Sequence, residues 1–397
     1  MNPWLDALLP YPFERLDALK RGVAPATSAP HLPLQIGEPK HAPPAFVLRA
    51  LEDPDTLRAG LGAYPPTRGG APLREAAADW LRRRFGAQVD PETQVLPVNG
   101  TREALFSFGQ AILSGATSSL VLLPNPCYQT YEGAALLRGA TPWYVPCRGA
   151  AQLPDLEAVE DAVWLAAELV YICSPGNPTG AVLPEDALRQ LIERAHRFDF
   201  VIAADECYSE IYADEDAPPP GLLQAAAAMG HTDLTRCVVF HSLSKRSNLP
   251  GLRSGFVAGD AAILERYYLY RTYHGCAMPA HVQAASVLAW GDETHVRANR
   301  AAYREKFDAT LPILADVLPA ARPEAAFYLW PEVPSGDERF ARALFAQQNV
   351  TVMPGTYLGR GAGGANPGAG RVRMALVGET ADCVDAAERI RGFVEGL

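Results

Sequence analysis

Lysine is scarce in this chain of 397 residues: Lys20, Lys40, Lys245 and Lys306 stand against 31 arginines. A plain surface cation is thus nearly always arginine here, and Lys245 is not an interchangeable charge. The seven cysteines (Cys127, Cys147, Cys173, Cys207, Cys237, Cys276, Cys383) are scattered and include no Cys-x-x-Cys pair. That excludes the spacing of a disulfide framework or zinc site and suits a reducing cytoplasm with no bound metal. No apolar run is long enough to span a membrane. Positive charge is in deficit, with a formal net charge of −10, which argues against a nucleic-acid partner. A few buried arginines can still build a local anion site. The first residues hold Asp6, Pro3, Pro10 and Pro12 and no basic stretch, unlike a signal peptide.

What is present is an ordinary globular composition, 48% hydrophobic and 20% charged, at a length that suits two or three domains. The stretch His241-Ser242-Leu243-Ser244-Lys245, continuing to Arg253-Ser254-Gly255, organises the reading. The apolar run Cys237–Phe240 before it reads as a buried strand, so Lys245 falls just past a strand end, where open α/β sheets place ligands. A desolvated lysine amine can lose its proton and attack a carbonyl, which arginine cannot do. The Ser242 and Ser244 hydroxyls and the Arg253 cation suit a phosphate. Together they fit an aldehyde cofactor carrying a phosphate, pyridoxal phosphate. A solvated polar loop would give the same residues.

Residues 1–44 hold nine prolines and read as an extended arm that must pack on something else. From about 94 to 258, strands near 94–98, 119–123, 143–145, 169–173, 201–204 and 237–240 alternate with helices near 102–113, 128–138, 155–162 and 185–198. Such alternation predicts a mainly parallel sheet covered on both faces. Asn99-Gly100-Thr101-Arg102 follows a strand and opens a helix, where backbone N–H groups and a hydroxyl can hold a phosphate. Asp205 closes the run Val201–Ala204, and a buried carboxylate needs a partner such as a protonated pyridine nitrogen. Beyond 259 come helices at 260–273, 279–290 and 293–317. A strand near 327–330, a helix near 337–348, a strand 350–353, a glycine-rich loop 359–370, a strand 371–376 and a helix 380–395 follow. On strand 371–376, period two puts Arg371 and Arg373 on one face.

Ser-x-Ser-Lys followed by Gly-x-Arg-x-Gly resembles the lysine motif of the class I/II pyridoxal phosphate aminotransferases. Ser174-Pro175-Gly176-Asn177-Pro178-Thr179-Gly180 resembles their Asn-Pro-x-Gly loop, and Asp205-Glu206-Cys207-Tyr208 their aspartate-tyrosine segment. Singly, each would also suit a turn, a helix cap or a core aromatic; the shared order along the whole chain carries the resemblance. It implies the fold-type-I α/β architecture, with a large domain (45–285) around a mainly parallel seven-stranded sheet. A smaller α/β domain (286–397) packs with the arm (1–44). It further implies a homodimer acting on small amino and keto acids. Lys245 would carry the cofactor and act as the catalytic base, with Asp205 and Tyr208 on its ring. Gly100, Thr101, Arg102, Ser242, Ser244 and Arg253 would surround the phosphate, with Tyr64 reaching it from the other subunit. Tyr128 would stack on the ring and Asn177 would donate to the cofactor's phenolic oxygen, while Gly37, Asn177 and Arg373 would bind substrate, Arg373 holding the α-carboxylate.

Within the family, residues 242–260, 270–276, Asn2-Pro3 and Tyr11-Pro12-Phe13 are most similar to the N-succinyldiaminopimelate subgroup of lysine biosynthesis. Other class I substrates (aspartate, alanine, LL-diaminopimelate) and a carbon–sulfur β-lyase share the motifs. A distal carboxylate then needs a second cation, and Arg271, just past the helix leaving the sheet domain, is the residue expected to supply it.

Overall fold

Short runs rich in valine, leucine, isoleucine and alanine form the main strands: β1 (Val95–Val98), β2 (Leu120–Asn125), β3 (Thr141–Arg148), β4 (Leu153–Pro154), β5 (Ala167–Cys173), β6 (Val201–Asp205), β7 (Cys237–Ser242) and β8 (Gly255–Gly259). The structure, a computed structural model, describes residues 1–275, 277–362 and 364–397. Cys276, which ends the 270–276 stretch, and Gly363 of the glycine-rich loop lie outside the described residues. The strands join in the order β1-β8-β7-β6-β5-β2-β3-β4. β7, β6, β5, β2 and β3 run parallel, and β8 is antiparallel to both β1 and β7. β1 therefore points the same way as the parallel strands, and the carboxyl ends of all six lie on one edge.

The sheet is covered on both faces, which explains why its strands read as continuous apolar runs. In β6, Ile202 and Ala204 enter one core with Trp80, Phe256 and Trp290, while Val201 and Ala203 enter the other with Phe108, Tyr171 and Tyr267. Covering helices are ended by local chemistry. Asp260 accepts the N–H groups of Ala262 and Ile263 at 2.9 and 3.1 Å and so starts Ala261–His274, a cap worth about 1 kcal/mol. Gly86, at φ 64°, ends Ala71–Phe85, using left-handed backbone open to glycine.

The remaining strands are short. Leu32–Pro33 of the arm pairs in parallel with Val350–Thr351, and Val372–Ala375 lies between Tyr328–Leu329 and Met353–Pro354. Ala375 N–H donates to Leu34 O at 2.7 Å, and Arg389 to Pro30 O at 2.8 Å, tying the arm to the C-terminal part. The arm's first turn, Pro3–Ala7, lies instead near the helix Gln129–Leu137, where Asn2 donates to Leu137 O. The helix Thr294–Leu314 packs against the last helix, Thr380–Glu395.

The observed elements correct four expectations. The sheet has eight strands rather than seven, because Leu153–Pro154 adds a two-residue antiparallel edge to β3. β8, a Gly-Phe-Val-Ala-Gly run too short to show a period, was absent from the expected strands. The helix expected at 155–162 divides: Asp155 caps a 3-10 turn at Leu156–Ala158, and an α-helix starts afresh at Asp161–Ala166. The strand expected at 350–353 is two strands, because the chain changes partner at Val352 from the arm to Val372–Ala375.

Candidate active site

The carboxyl edge of the sheet gathers the singled-out segments. Asn99–Thr101 follows β1, Pro126–Tyr128 follows β2, Ser174–Asn177 follows β5, Asp205 ends β6 and Ser242 ends β7. With the arm and the C-terminal strands they enclose a cavity of about 460 Å³. Its wall includes Gly37, Thr101, Arg102, Tyr128, Asn177, Asp205, Tyr208, Ser242, Ser244, Lys245, Arg253 and Arg373.

Lys245 is half-buried there, and its Nζ donates to Gly37 O at 2.5 Å. Burial chiefly, with Arg373 adding repulsion, lowers its pKa from 10.5 to about 8, so much of the amine is neutral at mildly alkaline pH. Ser242 caps the lysine turn, its Oγ accepting from Ser244 N–H at 3.1 Å and donating to Ser244 Oγ at 3.0 Å. Nearby, Arg253 adopts left-handed backbone at φ 56° and donates to Pro250 O and Asn99 O. Gly100 is off the cavity wall but required: at φ 82°, a Cβ here would lie 2.2 Å from Arg253 Nη2.

Asp205 is buried, with Tyr131 Oη donating at 2.6 Å and Cys207 N–H at 3.2 Å. Burial raises its pKa against these bonds, and among the described residues no cation lies within ion-pair distance. Tyr208 shares a 2.8 Å hydrogen bond with Tyr328 Oη; burial pushes its phenol well up, keeping it a proton donor. Arg373 gives one guanidinium nitrogen to Asn177 Oδ1 at 2.9 Å and the other to Gln35 O at 2.8 Å, while its buried Nε has no partner. Gly37 must lack a side chain, because a Cβ would meet Tyr328 Oη at 2.1 Å. Arg371 separates from Arg373: it binds Trp330 O and Glu332 outside this cavity.

Two expected residues lie elsewhere. Tyr64 is fully exposed and off the cavity wall. Arg271 overturns its expected role: it is completely buried and forked on Glu103 at 2.9 and 3.0 Å. A guanidinium enclosed by its own fold cannot reach a substrate.

Sequence reasoning missed Tyr131, Tyr328 and the wall formed by Tyr11, Pro12 and Phe13. Tyr131 stands three residues after Tyr128 in a helical stretch, which puts both on one side and could have marked it. Tyr328 carried no local signal.

The arrangement suits pyridoxal phosphate. The buried carboxylate of Asp205, which has no ion-pair partner among the described residues, matches a protonated pyridine nitrogen. The helix start at Thr101, the Ser242 and Ser244 hydroxyls and Arg253 form a donor set for a phosphate. Lys245 offers an amine that would suit its aldehyde, and the Arg373–Asn177 pair would suit a carboxylate. The site thus defines an amino-acid enzyme that works through an aldehyde cofactor.

The profile of the family described as aminotransferase class I and II matches residues 29–390. An LL-diaminopimelate aminotransferase of Nitratidesulfovibrio vulgaris is 32% identical over 391 residues, covering 97% of each chain. A crystal structure of an aminotransferase from Neisseria meningitidis superposes with TM-score 0.94 at 46% identity, covering 99% of this chain and 100% of that one. A probable N-succinyldiaminopimelate aminotransferase from Thermus thermophilus gives TM-score 0.83 at 29% identity, with 96% and 100% coverage. The chain belongs to the class I/II aminotransferases, which depend on pyridoxal phosphate and act on small amino and keto acids.

Proposed function

We propose that this aminotransferase moves an amino group between glutamate/2-oxoglutarate and a diaminopimelate-type substrate, N-succinyl-LL-2,6-diaminopimelate and its 6-oxo partner. The observation that carries the substrate reading is Arg102. It lines the cavity, donates to Tyr11 Oη at 2.7 Å and, among the described residues, forms no ion pair. The other cations of the wall have roles: Lys245 in chemistry, Arg253 at the phosphate, Arg373 at the α-carboxylate. Arg102 is thus moved from the cofactor set to the distal carboxylate, replacing Arg271. A succinylated substrate carries distal carboxylates and no distal ammonium, which matches a lone cation beside aromatic rings. LL-diaminopimelate is the second reading, favoured by the relatives that are LL-diaminopimelate aminotransferases.

The cofactor, when bound, supplies an aldehyde for the amino group and a ring that takes up the electron pair released at the substrate Cα. Lys245 Nζ would hold that aldehyde and would serve as the base for the Cα proton. Asp205 would keep the ring nitrogen protonated. Tyr208 would donate to the cofactor's phenolic oxygen, and Asn177 with Arg373 would fix the substrate α-carboxylate, so that the Cα proton would be presented to one base.

We further propose a cytoplasmic homodimer in which Tyr64, bare in the single chain, reaches the partner's phosphate. In each protomer the arm 1–44 works with residues 286–397 as one small domain against 45–285. The test of the substrate is glutamate formation from 2-oxoglutarate with N-succinyl-LL-diaminopimelate, LL-diaminopimelate, aspartate and alanine as donors. The succinylated donor should give the highest kcat/KM. Release of pyruvate and ammonia from a cystathionine-like substrate without glutamate formation would instead place the chain among the lyases.

A further inference from the structure

Lys306 is another of the four lysines, and it is buried, with 2% exposure. It heads a chain of hydrogen bonds that runs through His41 and Asn299. Its Nζ donates to His41 Nε2 at 2.5 Å, so Nδ1 carries the ring proton if His41 is neutral. Burial lowers the pKa of His41 and favours that form. Nδ1 then donates to Asn299 Oδ1 at 2.8 Å, which also accepts from Asn248 Nδ2 at 2.9 Å. Asn299 Nδ2 is thereby aimed the other way and donates to the carbonyls of Lys245, at 3.1 Å, and Arg246, at 3.3 Å. Lys306 also donates to Val377 O at 3.4 Å. One chain of polar contacts thus joins the arm, the helix Thr294–Leu314 and the C-terminal part to the backbone of the reacting lysine. No member of it lines the cavity.

We propose that Asn299, oriented by His41 and Lys306, is a positioning residue that holds the backbone of Lys245 in register with the small domain, so that Nζ meets the substrate Cα. The turn Leu243–Arg246 is only four residues long, too short to hold itself, since a single helical turn is unfavourable alone. The one Asn299 amide group, donating to its last two carbonyls, replaces hydrogen bonds that a longer helix would provide. This rests on Lys245 being the reacting amine, and the two fail separately: Lys245→Ala with retained turnover would sink that reading whatever His41 and Asn299 do.

The test uses Asn299→Asp, His41→Leu and His41→Asn in the loaded enzyme, with amide exchange across 243–249 measured in both loaded and cofactor-free protein. Asn299→Asp keeps the acceptor for His41 and Asn248 but loses the donor, while His41→Asn retains a donor for Asn299. We expect kcat to fall about five- to fiftyfold in Asn299→Asp and His41→Leu, with KM within about twofold. Exchange should quicken at 243–249 and little elsewhere, and His41→Asn should recover most of the kcat. Unchanged kcat and exchange in Asn299→Asp would overturn the proposal. So would equal losses in the two His41 variants, which would mean that lost packing rather than the hydrogen bond is responsible. If His41→Leu fails to fold, Asn299→Asp alone decides, because it preserves side-chain volume.

Discussion

Arg271 and Glu103 close on each other across 168 residues of sequence, both carboxylate oxygens taking a guanidinium nitrogen at 2.9 and 3.0 Å. Glu103 Oε1 also accepts the N–H of Asn99 at 2.9 Å, one residue before the glycine that lets Arg253 approach. Arg271 therefore acts on the site through the helix start. Arg271→Ala should cost roughly 1–3 kcal/mol of stability, the smaller end reflecting a Glu103 about one quarter exposed. Any rise in KM should be similar for every substrate. Thermal melts and KM values for dicarboxylate and monocarboxylate donors check this; a selective rise for dicarboxylates would restore Arg271 to the substrate site.

Arg102 takes the opposite expectation. Arg102→Ala should raise KM for succinylated and other dicarboxylate donors about ten- to a hundredfold, the loss of one charge-assisted contact, and spare alanine. Arg373→Ala should harm both classes. Steady-state kinetics on the two donor types decide, and equal losses in Arg102→Ala would mean that it serves the cofactor instead.

The pKa of Lys245 gives a signed pH dependence. Its buried amine is mostly protonated below about 8 and neutral above it. In the cofactor-free protein, the rate at which Nζ captures pyridoxal phosphate should fall about tenfold per pH unit below that value and level off above it. Removing the positive charge in Arg373→Met should move the bend upward, because Arg373 is one of the groups that lower this pKa. Stopped-flow absorbance checks it; a bend near 10.5 would show that burial leaves the amine unperturbed.

Tyr64, bare in the single chain, should act on the other protomer. Mixing Lys245→Ala with Tyr64→Ala protein under proven subunit exchange should restore activity at about one site per heterodimer, since one pocket then holds both groups. No recovery would confine Tyr64 to its own chain.

How much was legible follows from range. Lys245, Asp205 and Asn177 each stand at the end of an apolar run, so local pattern alone placed them at a sheet edge. Tyr328 becomes a wall residue only through pairing of short C-terminal strands, and its contact with Tyr208 spans 120 residues. Arg271 misled for the same reason: its distance from the helix end was visible, but the carboxylate that encloses it was not. The two-residue strand Leu153–Pro154 is too short for any periodic signal. Tyr11 was noticed as part of a motif, yet its place on the cavity depends on where the arm comes to rest.

The central claim is that Lys245, alone among four lysines, carries the cofactor. Borohydride reduction of the loaded enzyme followed by peptide mass spectrometry tests it directly. A single phosphopyridoxyl label on Lys245, lost in Lys245→Ala together with turnover, is the result expected. A label on Lys20, Lys40 or Lys306 with Lys245 unmodified would contradict it.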